Sequence, residues 1–566
     1  MKRKSVRIIV SAILTLIFVA LSFYVTLPAI NPQSEGFWMF LLYGIAFYIG
    51  AYVLFSFLGE RKTNKRAKSN FKLKKTAGVI VGVCVLLVPI LVLAVGSFVS
   101  STFFNANAYA NLIEVPEADF AEDMPEAEIV NNIALMDTDT AIKMGNRTLG
   151  ALSNVVSQYE ISSNYKQINY NKAPQKVSTL EYADFFKWYA NKAQGIPGYV
   201  MVDPVNVTDA KYIELEKPIK YSDSGYFGDD LMRELRFSYP TKIFGNISFE
   251  IDDEGNPYYI VACIKPRIAM FGAYDVNEVV IFDPVSGEST IYALSDVPSW
   301  VDNVFTGTLA SQKYDWFGTL KNGYWNSIIG NKDCKVTTDD YGYIVIGDDV
   351  WFFTGVTSVV SDESNIGFII SNARTGEYKF YPVTGAEEYS AMHSAEGQVQ
   401  EKGYVASFPS LINVSGEATY IMVLKDSAGL VKLYALVNVE NYAIVATGST
   451  QTEAKEEYLK LLKQNGLIDK IPEKEEVEDS NSADVTVEIA DIKVYTVGGE
   501  SVFYITDADG HIYKQRLCDD ESLIILKNGD IVNIKYKLDN NALVREMISF
   551  KVLPAEPSSD AENKAE

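Results

Sequence analysis

Residues 279–294 read Val-Val-Ile-Phe-Asp-Pro-Val-Ser-Gly-Glu-Ser-Thr-Ile-Tyr-Ala-Leu. Two runs of β-branched and aromatic residues flank a turn that opens with Asp and ends in Gly-Glu. A tight β-hairpin selects these residues, because Asp bonds its own turn backbone and Gly tolerates positive φ. The pattern recurs along the chain. Tyr199-Val-Met-Val-Asp203-Pro204 precedes Lys211-Tyr-Ile-Glu-Leu215, and Gly367-Phe-Ile-Ile-Ser-Asn372-Ala-Arg-Thr-Gly376-Glu377 precedes Tyr378-Lys-Phe-Tyr-Pro-Val383. Tyr434-Ala-Leu-Val-Asn438 precedes Ala443-Ile-Val-Ala-Thr447. Four strand–turn–strand units led by Asp203, Asp283, Asn372 and Asn438 point to a repeat.

Earlier hairpins stand upstream of two copies, at Phe249–Val261 around Glu254-Gly255 and at Leu411–Val423 around Ser415-Gly416. Helices are predicted at Ser390–Lys402, stopped by Gly403, and at Thr450–Asn465, stopped by Gly466. Residues 101–195 lean helical: Asp137-Thr138-Asp139 caps a helix through Leu149, and a second is expected over Thr179–Ala193. The fold class is therefore α+β, with tandem β-rich modules over 196–466.

Helix, hairpin around an acidic-Gly turn, then a hairpin ending in Gly-Glu resembles the PepSY type of module. The resemblance rests on Asp283-x-x-x-Gly287-Glu288, on Asn372-x-x-Thr375-Gly376-Glu377, and on Asp252, Asp253 and Gly255, and spans about residues 195–450. Asn372 and Asn438 replace the usual Asp, and the last copy lacks Gly-Glu. It implies non-catalytic units of bacterial envelope proteins, some of which restrain peptidases. It supplies no functional residues.

Beyond a charged linker over 467–482, expected to be mobile, five short strands occupy 483–553 with an interruption at Asp519–Leu526 between the third and fourth. That is the order of an OB-like barrel. The tail 554–566 has the composition of a disordered segment.

Three runs without any ionisable residue, Ile8–Ile30, Phe37–Leu58 and Ala77–Ser100, are each long enough to cross a bilayer as a helix. The first is too long for a signal peptide and is followed by two more. Lys2, Arg3, Lys4 and Arg7 precede it. Arg61, Lys62, Lys65, Arg66, Lys68, Lys72, Lys74 and Lys75 fill the second loop, whereas the first loop carries only Glu35. Basic flanks stay in the cytoplasm, so everything after residue 100 is expected outside a multi-pass cell-membrane anchor. Without intramembrane charges, transport is not expected. Gly78-x-x-x-Gly82 fits a helix contact but lies at a helix start, and the basic loop reads as a topology determinant.

Residues after 100 hold 38 of the 50 Lys and Arg but 71 of the 73 Asp and Glu. So acidic a surface repels phosphate backbones, and nucleic acid is not an expected partner. The expected partners are the lipid bilayer and envelope proteins or cell-wall glycan or peptide.

Four cysteines, Cys84, Cys263, Cys334 and Cys518, exclude a disulfide scaffold. Two histidines, His393 and His511, cannot build a His-rich zinc site, and no H-E-x-x-H helix exists. Asp507-Ala-Asp509-Gly510 starts like a calcium loop, but Cys518 stands where the bidentate Glu belongs. No nucleotide fingerprint is present, so no cofactor, metal site or catalytic residue is expected. A ligand platform is one reading of Trp300, Tyr314, Trp316, Tyr324, Trp325 and Trp351; a β-domain core is the other. The expected function is non-enzymatic binding or scaffolding in a bacterial envelope. The alternative is an envelope hydrolase acting on glycan or peptide through a carboxylate pair.

Overall fold

The computed structural model describes the chain except for residue 1 and residues 62–76, 128–132, 206–209, 361–363, 473–481, 498–499, 518–520, 538–543 and 554–566. The basic loop, most of the charged linker and the tail thus lie outside the described residues. The chain divides into two compact units, Met1–Ile471 and Pro472–Glu566.

The first unit opens with α1 (Lys2–Thr26), α2 (Glu35–Arg61) and α3 (Ala77–Ser100). Two helices, over Ser5–Thr26 and Glu35–Phe57, are long and apolar enough to cross a membrane. A third follows only if Cys84–Ser100 is taken together with α4 (Thr102–Ala110), which bends away from it by 48°.

Contacts at one end of the bundle join it to the remainder of the unit. The buried Arg236 guanidinium donates to Leu27 O (2.9 Å), and Ile30 N donates to Pro240 O (2.7 Å). The Tyr274 hydroxyl donates to Gln33 O (2.6 Å), and Met270 N and Phe271 N donate to Ser100 Oγ (3.2 and 3.0 Å). The end of α1, the start of α2 and the end of α3 therefore face the same stretch of chain, residues 236–274.

After a short turn, α5 (Phe120–Asp123), four modules follow, each a helix leading into an antiparallel sheet. The first has α6 (Thr138–Gly150), α7 (Ser153–Val156), β1 (Tyr159–Ile161), β2 (Lys166–Tyr170), β3 (Ala173–Tyr182), α8 (Phe185–Asn191), β4 (Ile196–Val202) and β5 (Ala210–Ile219). The second has α9 (Leu231–Ser238), β6 (Ile243–Ile251), β7 (Pro257–Ile268), β8 (Gly272–Phe282) and β9 (Ser289–Ala293). The third has α10 (Gly307–Leu320), β10 (Lys335–Thr337), β11 (Gly342–Ile346), β12 (Asp349–Ser358), the two-residue β13 (Ser364–Asn365), β14 (Gly367–Asn372), β15 (Tyr378–Tyr381) and β16 (Gly385–Ala386), which pairs with β13. The fourth has α11 (Glu388–Gln398), β17 (Val405–Ala406), β18 (Ser410–Val414), β19 (Glu417–Lys425), β20 (Val431–Asn438), β21 (Val445–Gly448) and a closing helix, α12 (Gln451–Gln464).

The predicted hairpins are the last two strands of each sheet, β4–β5, β8–β9, β14–β15 and β20–β21. Their turns open alike, on the side chain of an Asp or Asn that accepts from the backbone just ahead. Asp203 Oδ1 accepts from Val205 N, Asp283 Oδ1 from Val285 N, and Asn372 Oδ1 from Arg374 N, at 2.8–2.9 Å. Asn438 Oδ1 reaches one residue further, to Asn441 N at 2.8 Å.

The residue after each of these has a second common role: its carbonyl receives the segment that enters the same module's helix. Pro204 O accepts from Leu135 N and Met136 N, Pro284 O from Lys220 N and Tyr221 N, Ala373 O from Val304 N and Phe305 N, and Val439 O from Ala386 N. The repeat is thus a closed unit in which the turn fixes the entry of its own helix.

Two expectations need correction. The helix over Thr179–Ala193 is the end of β3 followed by the shorter α8, whose start is set by Asp184 accepting from Phe186 N and Lys187 N. Residues 101–195 are also less helical than expected. They supply α6 and β1–β3 to the sheet containing β4 and β5, so the first repeat starts near Thr138 rather than at 196.

Sheets pack in pairs. Val177, Leu180, Tyr199 and Val200 of the first share a core with Phe249, Tyr259, Val261 and Val280 of the second; Phe353, Phe368 and Ile370 of the third share one with Tyr420, Met422 and Val437 of the fourth. The other faces of the second, third and fourth sheets are covered as well, for example by Val301 and Phe305, by Tyr314 of α10 and by Tyr458 of α12. Burial on both faces explains the unbroken apolar runs Val279–Phe282 and Phe368–Ile370.

In the second unit β22 (Ser482–Val497), β23 (Glu500–Asp507), β24 (Ile512–Arg516), β25 (Ile531–Lys537) and β26 (Val544–Val552) close into a five-stranded barrel in the order β22-β23-β24-β26-β25. Ile489, Ile505, Tyr513, Val532 and Ile534 fill it.

Candidate binding cleft

α6 begins at Asp137, whose carboxylate accepts from Thr140 N (2.8 Å) and pairs with Lys425 of β19. Burial pushes this carboxyl up, but the Lys425 ammonium and the Thr140 bonds outweigh it and hold the group below its ordinary value. The pair links the first module to the fourth.

Beyond it the two modules separate around a cleft of about 1230 Å³. One wall is α6, with Lys143 and Arg147 four residues apart and so one above the other, together with Met144, Leu152, Val205 and Tyr212. The other wall is the β19–β20 turn with Leu430, the first residues of β20 with Val431, Lys432 and Tyr434, and the start of α12 with Ser449, Thr450 and Gln451.

Among the described residues three cations line this space and no carboxylate does, in a chain of net charge −23. Lys432 is paired at 3.4 Å with Asp426, which stands outside the lining. Burial raises the Tyr212 hydroxyl to about 12, so it stays a neutral donor. At the start of α12, Glu453 accepts from Ser449 N and its hydroxyl, and Thr450 Oγ1 accepts from Glu453 N. The helix end that faces the cleft is therefore rigid. Gly429 has φ +78°, which favours glycine, and a Cβ there would come within 2.6 Å of Lys143 Nζ and push the end of the lysine aside. A partly apolar trough with three cations suits an anionic ligand that also carries apolar groups.

The aromatic residues singled out in the sequence do not converge. Tyr314 and Trp351 are buried in two different cores, Trp300 packs on Tyr258 with tilted rings at 5.1 Å, and Trp316 packs on Tyr109 at 4.8 Å. Only Tyr324 and Trp325 are neighbours, at 5.5 Å.

The carboxylates of Glu250 and Asp302 stand together, both raised by burial, with Asp302 raised further by the Glu250 charge. They are sealed, at 0% and 1% exposed. Glu250 takes the amides of Asp302 and Asn303, and Asp302 takes the amide of Asn169. Their arrangement is structural, with no access for a substrate.

His511 caps a turn through Asp507, and His393 stands in α11 away from the cleft lining. Among the described residues Cys84, Cys263 and Cys334 are free thiols, and no group of three or more His, Cys, Asp or Glu could hold a metal.

Sequence reasoning missed the cleft because Lys143 and Lys432 are far apart in the chain. The Lys143/Arg147 spacing on a helix in so acidic a protein was the available signal. Neither the protein-family models nor the curated proteins compared with this chain give a match.

Proposed function

We propose that the chain is a membrane-anchored, non-enzymatic binding protein of a bacterial cell envelope, and that its cleft takes a carboxylate-bearing peptide. In this reading α1, α2 and α3 cross the membrane with the N-terminus in the cytoplasm, and the modules and barrel lie outside. The charged flanks support the orientation. So do the contacts that gather the end of α1, the start of α2 and the end of α3 against residues 236–274.

The modules are PepSY-like on this account. The barrel is OB-like, supported by its strand order and by the parallel pairing of its third strand with its fifth. The observation that carries the binding role is the convergence of Lys143, Arg147 and Lys432 in one trough that no carboxylate lines among the described residues.

The test uses the full chain and a short peptide of alternating glutamate and leucine. Lys143→Glu with Arg147→Glu should weaken binding by more than about tenfold, the worth of one charge-assisted contact, and leave the unfolding midpoint unchanged. Equal binding of the alternating glutamine–leucine peptide would overturn the reading.

A further inference from the structure

The chain leaving α10 turns at Gly323 and passes through a short π-helical turn, Asn326–Gly330, before returning to β10. Its largest side chains point outward: Trp325 is 64% exposed, Ile328 58% and Ile329 76%. A loop of this composition would ordinarily fold its apolar groups inward. Here the backbone is braced with them facing outward. Asn326 Nδ2 donates to Lys332 O (2.9 Å), Lys332 N donates to Asn326 Oδ1 (3.2 Å), and Asn322 Nδ2 donates to Lys332 O (3.1 Å). Asn331 N closes the turn on Asn326 O at 2.7 Å.

The braced loop is joined to the end of α3. Phe103, in the first turn of α4, meets Tyr324 at 5.1 Å and Trp325 at 6.0 Å, while Phe104 meets Phe98 of α3 at 4.8 Å. Both phenylalanines are themselves about half exposed. Contiguous apolar surface of this kind marks a contact site.

A similar arrangement stands at the end of α1. The Arg233 guanidinium lies over Tyr24 at 4.2 Å and donates to Phe227 O (2.5 Å), Phe237 meets Phe23 at 5.9 Å, and Phe227 and Phe237 are both more than half exposed.

We propose that Trp325, Ile328 and Ile329, continuous with Phe103 and Phe104, sit in the headgroup–acyl boundary of the same bilayer that holds α1–α3. The occupant is lipid because the patch continues the surface of α3 at the height where the helix leaves the membrane, and that is where aromatic side chains are favoured. The exposed aromatics beside α1 stand at the end of that helix which, like the end of α3, contacts residues 236–274. The module that carries α10 is thereby held against the outer leaflet. The inference rests on the reading of α1–α3 as spans, and Trp38 separates the two: it stands in the first turn of α2 and donates to Pro32 O.

The full chain is placed in nanodiscs of phosphatidylcholine with brominated acyl chains, and tryptophan quenching is compared with unbrominated discs. The bromine-sensitive fraction should fall in Trp325→Phe and fall separately in Trp38→Phe. An unchanged fraction in Trp325→Phe with a reduced one in Trp38→Phe overturns this proposal and leaves the anchor standing. No bromine-sensitive fraction at all overturns both. Quenching of Trp325 by aqueous iodide, or by neither agent, also contradicts lipid as the occupant, pointing to free surface or to a protein partner respectively.

Discussion

Asp283 shows how much one side chain carries in this architecture. It accepts from Val285 N and Ser286 N and from the Ser286 hydroxyl, and it holds the turn whose next carbonyl receives the entry to α9. Asp283→Ala should cost about 1 kcal/mol, the usual worth of such a bond, measured as a shift of the urea midpoint with no change in peptide binding. Glu388 is a second instance, with opposite sign. It is fully buried at the start of α11, accepts from Gly355 N at 2.7 Å, and burial raises its carboxyl to about 7. An unfolded glutamate ionises near 4.5. The folded state is therefore penalised as pH rises from that value to about 7, constantly above it and not at all well below. Glu388→Gln keeps the acceptor for Gly355. It should stabilise by up to about 3 kcal/mol at pH 8, from about 1.4 kcal/mol per pKa unit, and by almost nothing at about pH 4. Equal effects at both pH values would contradict this.

At the scale of elements, the sequence was legible wherever local chemistry decided the outcome. Helix caps and stops are read from single residues: Asp137 opens α6, Thr450 opens α12, and Gly466 adopts the left-handed φ that ends α12, whereas α11 ends at Gln398 and Gly403 closes the short 3-10 turn Gln400–Lys402 after it. The segment Thr179–Ala193 was misread because its aromatic density suited both states. Pairing of β3 with β1, β2 and β4 decides for strand up to Tyr182, and such pairing is not local information. The cleft was illegible for the same reason, since its walls come from the first and fourth modules. One residue of it is testable alone. Gly429→Ala places a Cβ against Lys143 at a positive φ; it should destabilise by about 1 kcal/mol or more and weaken peptide binding by moving the lysine.

At the scale of the molecule, the four-fold repeat was visible because a turn needs particular side chains at particular places, whereas which sheets face each other was not. That choice is made by shared cores such as Tyr199 with Phe249 and Phe368 with Tyr420, each pair at 5.8 Å. The barrel has its own core and forms a separate compact unit. A fragment of residues 482–553 should therefore fold alone, giving dispersed amide resonances and a cooperative thermal transition.

The central claim is that the modules and barrel stand outside a membrane that α1–α3 cross. Cysteine introduced at Ser480 should react with an impermeant maleimide in intact cells, and cysteine at Asn64 only after the cells are opened, each read against the unmodified chain. Labelling of the Asn64 site in intact cells, with protection of the Ser480 site, would contradict the account.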